Sequence, residues 1–528
     1  MTLGDGPEAD NALGLSLRGQ GRLDEAAAAF GRAIAARPDD PAAITNLGTV
    51  FQLRGRLAEA AECYHRALAH NSGHADAHNA LGMVLQAQGR LDDAIASYRR
   101  AVDSRPDHAS AHSNLGAALQ VAGEAEAAIA CYRRAIELRP DHPEAHYNLG
   151  NVLHGLGRIE DAAAAYRRAI GLRPAYAEAH NNLGIALRDM GAPDLAAESY
   201  RRVLALRPDH AEAHYNLAMA LLEMGDLAAG HEVYEWRFAA GAVPARDGTL
   251  PLWRGEPLRG RTLLVWGEQG YGDVIQFARY VPLLARAGAQ VIFEVHEPLR
   301  GLMAGVPGVD VVLARGDALP PCDAQIPLMS LPRLFRTTLD TMPREVPYLH
   351  APAAAIERWR KRLAGTDGLK IGLAWAGNPA QRNDRNRSMP LSACLPLLSA
   401  GGAGAAWFSL QVGEPAAQLT EIAAGNVVDL SPALTDFGET AAAMAALDLV
   451  VTVDTAVAHL AGALGRPAWV LLTFSPDWRW LRRREDNPWY PSARLFRQPR
   501  PGDWQAVAGR AAGELERLLA GDCSVLAP

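Results

Sequence analysis

Over residues 1–240 the chain repeats itself at intervals of 34 residues, and no other feature restricts its possible folds so much. Gly14, Gly48, Gly82, Gly116, Gly150 and Gly184 fall in step, each behind a leucine. A second glycine column, from Gly21 to Gly225, comes seven residues later. An aromatic column (Phe30, Tyr64, Tyr98, Tyr132, Tyr166, Tyr200, Tyr234) and a proline column (Pro38, Pro106, Pro140, Pro174, Pro208, with Ser72 in the missing slot) complete the unit. A unit of this length is a helical hairpin that cannot bury its apolar face alone, so neighbours must stack. Glycine lets the first helix approach its neighbour, the aromatic ring fills the seam, and proline stops the second helix. Six full repeats are expected, with a seventh that runs into the adjoining region.

This pattern resembles the tetratricopeptide repeat, whose arrays form a superhelix with a concave face lined by each unit's first helix. One column on that face, Asn46, Asn114, Asn148, Asn182 and Asn216, with Ala80 breaking the series, directly precedes the leucine of each Leu-Gly pair. We expect it to face solvent. A ladder of amides offers paired donors and acceptors to an extended backbone, whatever its side chains. The array is similar to that of the animal O-GlcNAc transferases, where such a ladder grips acceptor polypeptide, and the resemblance implies acceptor binding here. The alternative, that asparagine suits a packed helix and is copied with each repeat, stays open. Histidines four apart (His74/His78, His108/His112, His142/His146, His210/His214) have metal-ligand spacing. They recur with the repeat, which points to packing and turn chemistry and to no metal.

From residue 241 the pattern changes to alternating strands and helices. The Gly/Pro-containing stretch 241–258 is a junction, against which Tyr234-Glu-Trp-Arg-Phe238 docks the array. Thr262 to Gly267 reads as a strand, 268–273 as a tight turn, Val274 to Ala287 as a helix and Gln290 to Val295 as a second strand. This βαβ opening recurs more weakly through Val309–Leu313 and Ala324–Pro327. After a linking helix, Ile356 to Leu363, a second α/β unit opens at Leu369–Gly377. Its further strands are expected at Ala406–Leu410, Val427–Leu430, Leu449–Val453 and Ala468–Leu472, with an amphipathic helix from Asp503 to Leu519. The expected class is α + α/β: a repeat array over 1–240, one Rossmann-like half over 241–350, and a second over 351–528.

The run Leu449–Val453 has the β-branched content of a buried parallel strand. Asp454 and Thr455 stand at its carboxyl end, where open α/β sheets collect ligands. Free N–H groups of the small-residue helix after it attract phosphate. Thr455 and His459, four apart, share a face of that helix. A capping residue and a core histidine would leave the same trace. In the turn after the first strand, Asp273 is either an N-cap or a general base facing the cleft. The spacing there is not Gly-x-Gly-x-x-Gly, so no dinucleotide is inferred. The loop 378–388 carries Arg382, Arg385 and Arg387. It is either a solvated basic loop or a device that neutralises a diphosphate, for which arginine's fork is suited. Trp478 and Trp480 either pack on their own loop or stack on a sugar or base.

The segment Asp454-Thr-Ala-Val-Ala-His459 resembles the donor-site motif of the heptosyltransferase-like (family 9) glycosyltransferases, with Ala at its third position. The Gly272-Asp273 turn is shared with that family too. The resemblance implies two facing Rossmann-like domains, the GT-B arrangement, and a direct, inverting displacement at an anomeric carbon. It implies Asp273 as the base, with Gly270, Gly272, Arg385, Arg387, Asp454, Thr455 and His459 around a nucleotide-sugar. Family members often carry Lys where this chain has Arg387-Ser-Met-Pro390. No Asp-x-Asp triplet occurs, which disfavours the metal-dependent GT-A design. The expected co-substrate is a nucleotide-sugar, with no metal and no cofactor. The fused array makes a polypeptide the expected acceptor, flagellin being one candidate, as in bacterial relatives of this layout. A catalytically inactive scaffold and a lipopolysaccharide or other polysaccharide sugar transferase are the alternatives.

Composition narrows the classes further. A net charge of −7 leaves no footprint for nucleic acid. No apolar stretch reaches the roughly 18–20 residues that span a bilayer, and no apolar leader opens the sequence. Cys63, Cys131, Cys322, Cys394 and Cys523 lack metal-ligand spacing and read as free thiols of a reducing compartment, so a cytoplasmic protein is expected. Lys361 and Lys370 are the only lysines, which leaves no Gly-Lys-Ser/Thr phosphate loop and little scope for Schiff-base chemistry.

Overall fold

The computed structural model describes residues 6–246, 248, 250–380, 384–421, 427–482 and 484–527, apart from the side chains of Arg385 and Glu421. It divides into two compact units, Met1–Met190 and Gly191–Pro528.

The first unit is built from helical hairpins, beginning with Pro7–Gly19 and Leu23–Ala36 and reaching Ala177–Asp189. A Cβ at Gly48, Gly82 or Gly150 would come within 2.6–2.7 Å of the ring of Tyr64, Tyr98 or Tyr166, so only glycine admits the aromatic at that seam. The buried tyrosines remain satisfied, because Tyr64, Tyr98 and Tyr132 donate to the side-chain oxygens of Gln52, Gln86 and Gln120 at 2.9, 3.1 and 3.2 Å. Turn glycines Gly21, Gly55, Gly89, Gly123 and Gly157 have φ between 73° and 82°, the left-handed conformation that ends each first helix.

The histidine pairs have a structural explanation. Nδ1 of His74 and of His108 accepts from the backbone N–H of Ala77 and Ala111, at 3.2 and 3.4 Å, and so caps the next helix. Their partners His78 and His112 turn Nε2 to the carbonyls of Ser72 and Pro106 at 2.8 and 3.1 Å.

The asparagine column departs from the expectation of a solvent-facing slot. Asn46, Asn114, Asn148 and Asn182 are half-buried. Asn46 donates to Asn11 at 3.0 Å, Asn114 to Asn79 at 2.9 Å, and Asn182 to Tyr147 and Asn151 at 3.2 and 2.9 Å. These amides tie one repeat to the one before it.

The second unit opens with helices Pro193–Leu206, Ala211–Glu223 and Leu227–Tyr234, which carry Asn216 in a buried position. The periodic sequence runs on to about 240, yet packing joins these helices to the α/β part of the chain. Ala218, Leu222, Leu227 and Tyr234 share one core with Trp253, Val274, Phe277 and Trp478.

Two parallel sheets make up that part. Strands β1 (Thr262–Trp266), β2 (Gln290–Val295), β3 (Val311–Ala314) and β4 (Ala324–Pro327) lie in the order β3-β2-β1-β4. The second sheet holds β5 (Leu369–Ala374), β6 (Ala405–Ser409), β7 (Val427–Asp429), β8 (Leu449–Val453), β9 (Ala468–Leu472) and β10 (Ala493–Arg497), in the order β10-β9-β8-β5-β6-β7. Strand β5 pairs on both sides, Ile371 lying opposite Trp407 of β6 and Leu449 of β8. The chain therefore leaves β5 in one direction and returns on its other side at β8, which opens a crevice at their carboxyl ends. Strands β1 and β4 make the same reversal in the first sheet.

Two elements differ from expectation. The helix expected over Val274–Ala287 is three pieces, Tyr271–Phe277, a 3₁₀ turn Ala278–Tyr280 and Val281–Arg286, since Pro282 cannot donate into a continuous helix. Strand β10, Ala493–Arg497, adds an edge strand beyond those expected from the sequence. In the fold Arg494 pairs with Glu514 at 3.0 Å, and Arg497 donates to the Trp480 carbonyl at 2.6 Å. Among the described residues no helix is long and apolar enough to cross a membrane.

Candidate active site

A cavity of about 1080 Å³ lies where the carboxyl ends of β1, β5, β6 and β8 converge. Gly270, Gly272, Asp273, Arg387, Asp454, Thr455 and His459 all line it. The side chain of Arg385 and all of Arg382 lie outside the described residues.

Asp273 is not the N-cap, which is Gly270, but the third residue of helix Tyr271–Phe277, and it faces the cavity. Its Oδ2 accepts from the Gly270 N–H at 2.9 Å, which fastens the turn leaving β1. Its Oδ1 pairs with Arg479. About a fifth of the side chain is accessible. Burial pushes the carboxyl up from its ordinary range, against the pull of Arg479.

Thr455 caps helix Ala456–Ala463 by accepting from the Val457 N–H at 3.3 Å. Its hydroxyl also lies 3.2 Å from that of Thr452. Burial, and then the charge of Asp477, push Asp454 up to about 6. His459 is held on three sides. Nδ1 lies 3.0 Å from the Tyr490 hydroxyl, Trp480 stacks on the ring at 5.2 Å between centroids, and Gly272 stands against its edge. Burial and the guanidinium charges of Arg479, Arg279 and Arg387 hold the imidazole neutral. Arg387 reaches Asp384 at 3.4 Å and stands beside Gly377, at the carboxyl end of β5.

Sequence reasoning passed over several residues here. Arg479 links Asp273 to Asp477, the latter at 2.7 Å, and so bridges groups that lie beyond β1 and β9. Burial alone would lower its pKa, but those two carboxylates hold it above the ordinary range. Gln411, past the end of β6, accepts from the N–H groups of Trp375 and Ala376 at 3.1 and 2.9 Å. Tyr271 presents a partly exposed ring at the cavity, edge-on to Phe437 at 5.2 Å. Arg479 lies between Trp478 and Trp480, the two residues of this loop that the sequence singled out. Trp478 and Trp480 are 1% and 0% exposed, so neither is available to stack on a sugar or base.

The expected docking of Tyr234–Phe238 also has a definite form. Arg237 is fully buried and pairs with Glu235 and with Glu268, each at 2.9 Å, while donating to Ser330 at 2.8 Å. Glu268 accepts from the Met329 N–H and lines the cavity.

A sequence profile of glycosyltransferase family 9 (heptosyltransferase) matches residues 409–501, which span β8, Asp454 to His459, Asp477 and Arg479. Tetratricopeptide-repeat profiles match overlapping stretches from 11 to 235. The chain joins tetratricopeptide repeats to a family 9 glycosyltransferase-like domain. Protein FlbA of Caulobacter vibrioides is 27% identical over 333 residues, 55% of this chain and 52% of that protein. This chain therefore spans about half the length of the curated relative it matches. Among solved structures, YrrB, described as a TPR protein with an unusual peptide-binding site, is 24% identical and has a TM-score of 0.32, covering 35% of this chain and 96% of that one. MamA is 27% identical with a TM-score of 0.30, covering 31% and 97%. In the family 9-like domain, the cavity combines a carboxylate at one sheet with an arginine, a neutral histidine and a capped helix N-terminus at the other. That set suits an anionic leaving group facing a base.

Proposed function

We propose that the protein is a glycosyltransferase of GT-B arrangement that moves a sugar from a nucleotide-sugar to a polypeptide. The observation that supports this best is that one cavity is lined by Asp273 after β1, by Asp454, Thr455 and His459 after β8, and by Tyr215 of the last repeat. The repeat region thus contributes a wall to the same space as the candidate base and donor groups. Residues 351–528 hold the donor, and 241–350 supply the base. Asp273 takes the proton of an acceptor hydroxyl as its oxygen attacks the anomeric carbon. The nucleoside diphosphate departs from the opposite face, so configuration inverts. Arg387, the helix N–H groups behind Thr455 and His459 stabilise the departing charge. Tyr215 contacts the acceptor at the cavity, and Asn148 is the member of the asparagine column proposed to bind acceptor backbone, with flagellin one candidate.

The test is a panel of nucleotide-sugars offered to the full chain with polypeptide acceptors, measuring donor hydrolysis and transfer. Asp273→Asn should keep donor binding and lower transfer by about 10²–10⁴-fold. Transfer at wild-type rates by that variant would leave Asp273 only its role in fastening the turn after β1. A wild-type protein inert towards the whole panel would favour the scaffold reading.

A further inference from the structure

Of the imidazole's two nitrogens, the one that carries the proton is set by the partner of the other. In His459, Nδ1 is taken by the Tyr490 hydroxyl at 3.0 Å. The opposite edge faces the turn after β1, because a Cβ on Gly272 would lie 2.7 Å from Cδ2 and 3.4 Å from Nε2. Trp480 covers a face of the ring, so the half-turn that would put Cδ2 in place of Nδ1 against Tyr490 cannot occur without displacing the indole.

Tyr490 is itself held. Its ring lies 4.9 Å from the Arg279 guanidinium, which donates to the Gln276, Pro343 and Trp489 carbonyls at 2.9 Å and to the Tyr348 hydroxyl at 3.1 Å. Tyr348 passes its own proton to the Ile275 carbonyl at 3.0 Å. Two proton arrangements are open to the remaining contact. If Nδ1 donates to Tyr490, a bare Nε2 lone pair meets whatever anion enters the cavity. If Tyr490 donates to Nδ1, Nε2–H becomes a neutral donor at that place. The second arrangement complements an anion and the first repels one.

We infer that Tyr490 is a positioning residue that donates its hydroxyl proton to Nδ1 and fixes His459 as the Nε2–H tautomer, aimed at the phosphate of the departing nucleotide. The ligand in this inference rests on the glycosyltransferase reading; the tautomer does not. The full chain labelled with ¹⁵N-histidine tests it by long-range ¹H–¹⁵N correlation, with calorimetric titration of uridine, guanosine, adenosine and thymidine diphosphates. Wild type should show Nδ1 unprotonated and Nε2 protonated, and Tyr490→Phe should show mixed tautomers with about three- to tenfold weaker nucleoside-diphosphate binding. His459→Gln, whose amide nitrogen reaches the Nε2 position, should retain more of that affinity than His459→Asn, a comparison that stands if Tyr490→Phe does not fold. Protonated Nδ1 in wild type, or an unchanged tautomer and affinity in Tyr490→Phe, overturns the inference. Binding of no nucleoside diphosphate by wild type overturns its ligand and the glycosyltransferase reading together, while the spectrum still decides the tautomer.

Discussion

Asp454 carries a proton balance that a charged surface residue would not. Its value in the folded protein lies at about 6, above the ordinary 3.8, so the native state binds the proton more tightly than the unfolded chain. The sign is then fixed: stability falls as pH rises between those two values and is level above them. Asp454→Asn should therefore be more stable than wild type above about pH 6, by roughly 2–3 kcal/mol, with the difference vanishing below about pH 4. Urea unfolding at several pH values measures this, and equal midpoints at pH 7.5 would refute it. Gly272 is the other residue whose identity is dictated locally. Gly272→Ala places a methyl against an imidazole already fenced by Trp480 and Tyr490, which should cost about 1–3 kcal/mol. Nucleoside-diphosphate titration should show weaker binding, and unchanged affinity would mean His459 yields without consequence.

At the scale of elements, the asparagine column splits into two kinds. Asn114 and Asn182 bond to the preceding repeat. Replacing either with Ala should cost the array about 0.5–1.5 kcal/mol, read by denaturant unfolding. Asn148 has no inter-repeat side-chain hydrogen bond among the described residues. Asn148→Ala should leave stability alone and raise the apparent KM for a polypeptide acceptor, with donor hydrolysis untouched. Equal loss of hydrolysis and transfer would assign Asn148 to the fold. The sequence could not separate these two kinds. A 34-residue period fixes which residues are equivalent, whereas the bond each makes depends on the residue one repeat back, which varies from Asn11 to Asn79 to Tyr147.

At the scale of the molecule, the second unit depends on charges buried between its parts. Arg237, from the end of the repeats, meets Glu268, from the floor of the cavity, with neither side chain exposed. Arg237→Met leaves that carboxylate without its cation and should destabilise the second unit by about 3–5 kcal/mol; adding Glu268→Leu should restore much of the loss. Thermal unfolding of both variants measures this, and a mild single variant would show the pair to be dispensable. Much of the architecture was legible beforehand, because the signals are local. The repeat was written in glycine, tyrosine and proline columns, and β8 with its capped helix in a β-branched run ending at Asp454 and Thr455. Periodicity and capping depend on neighbours a few residues away, so sequence alone determined them. Arg479 bridging Asp273 to Asp477, Tyr490 against His459, and Tyr215 in the wall of the cavity were decided by tertiary structure. Each joins residues distant in the chain, and no local pattern encodes which loop ends a sheet brings together.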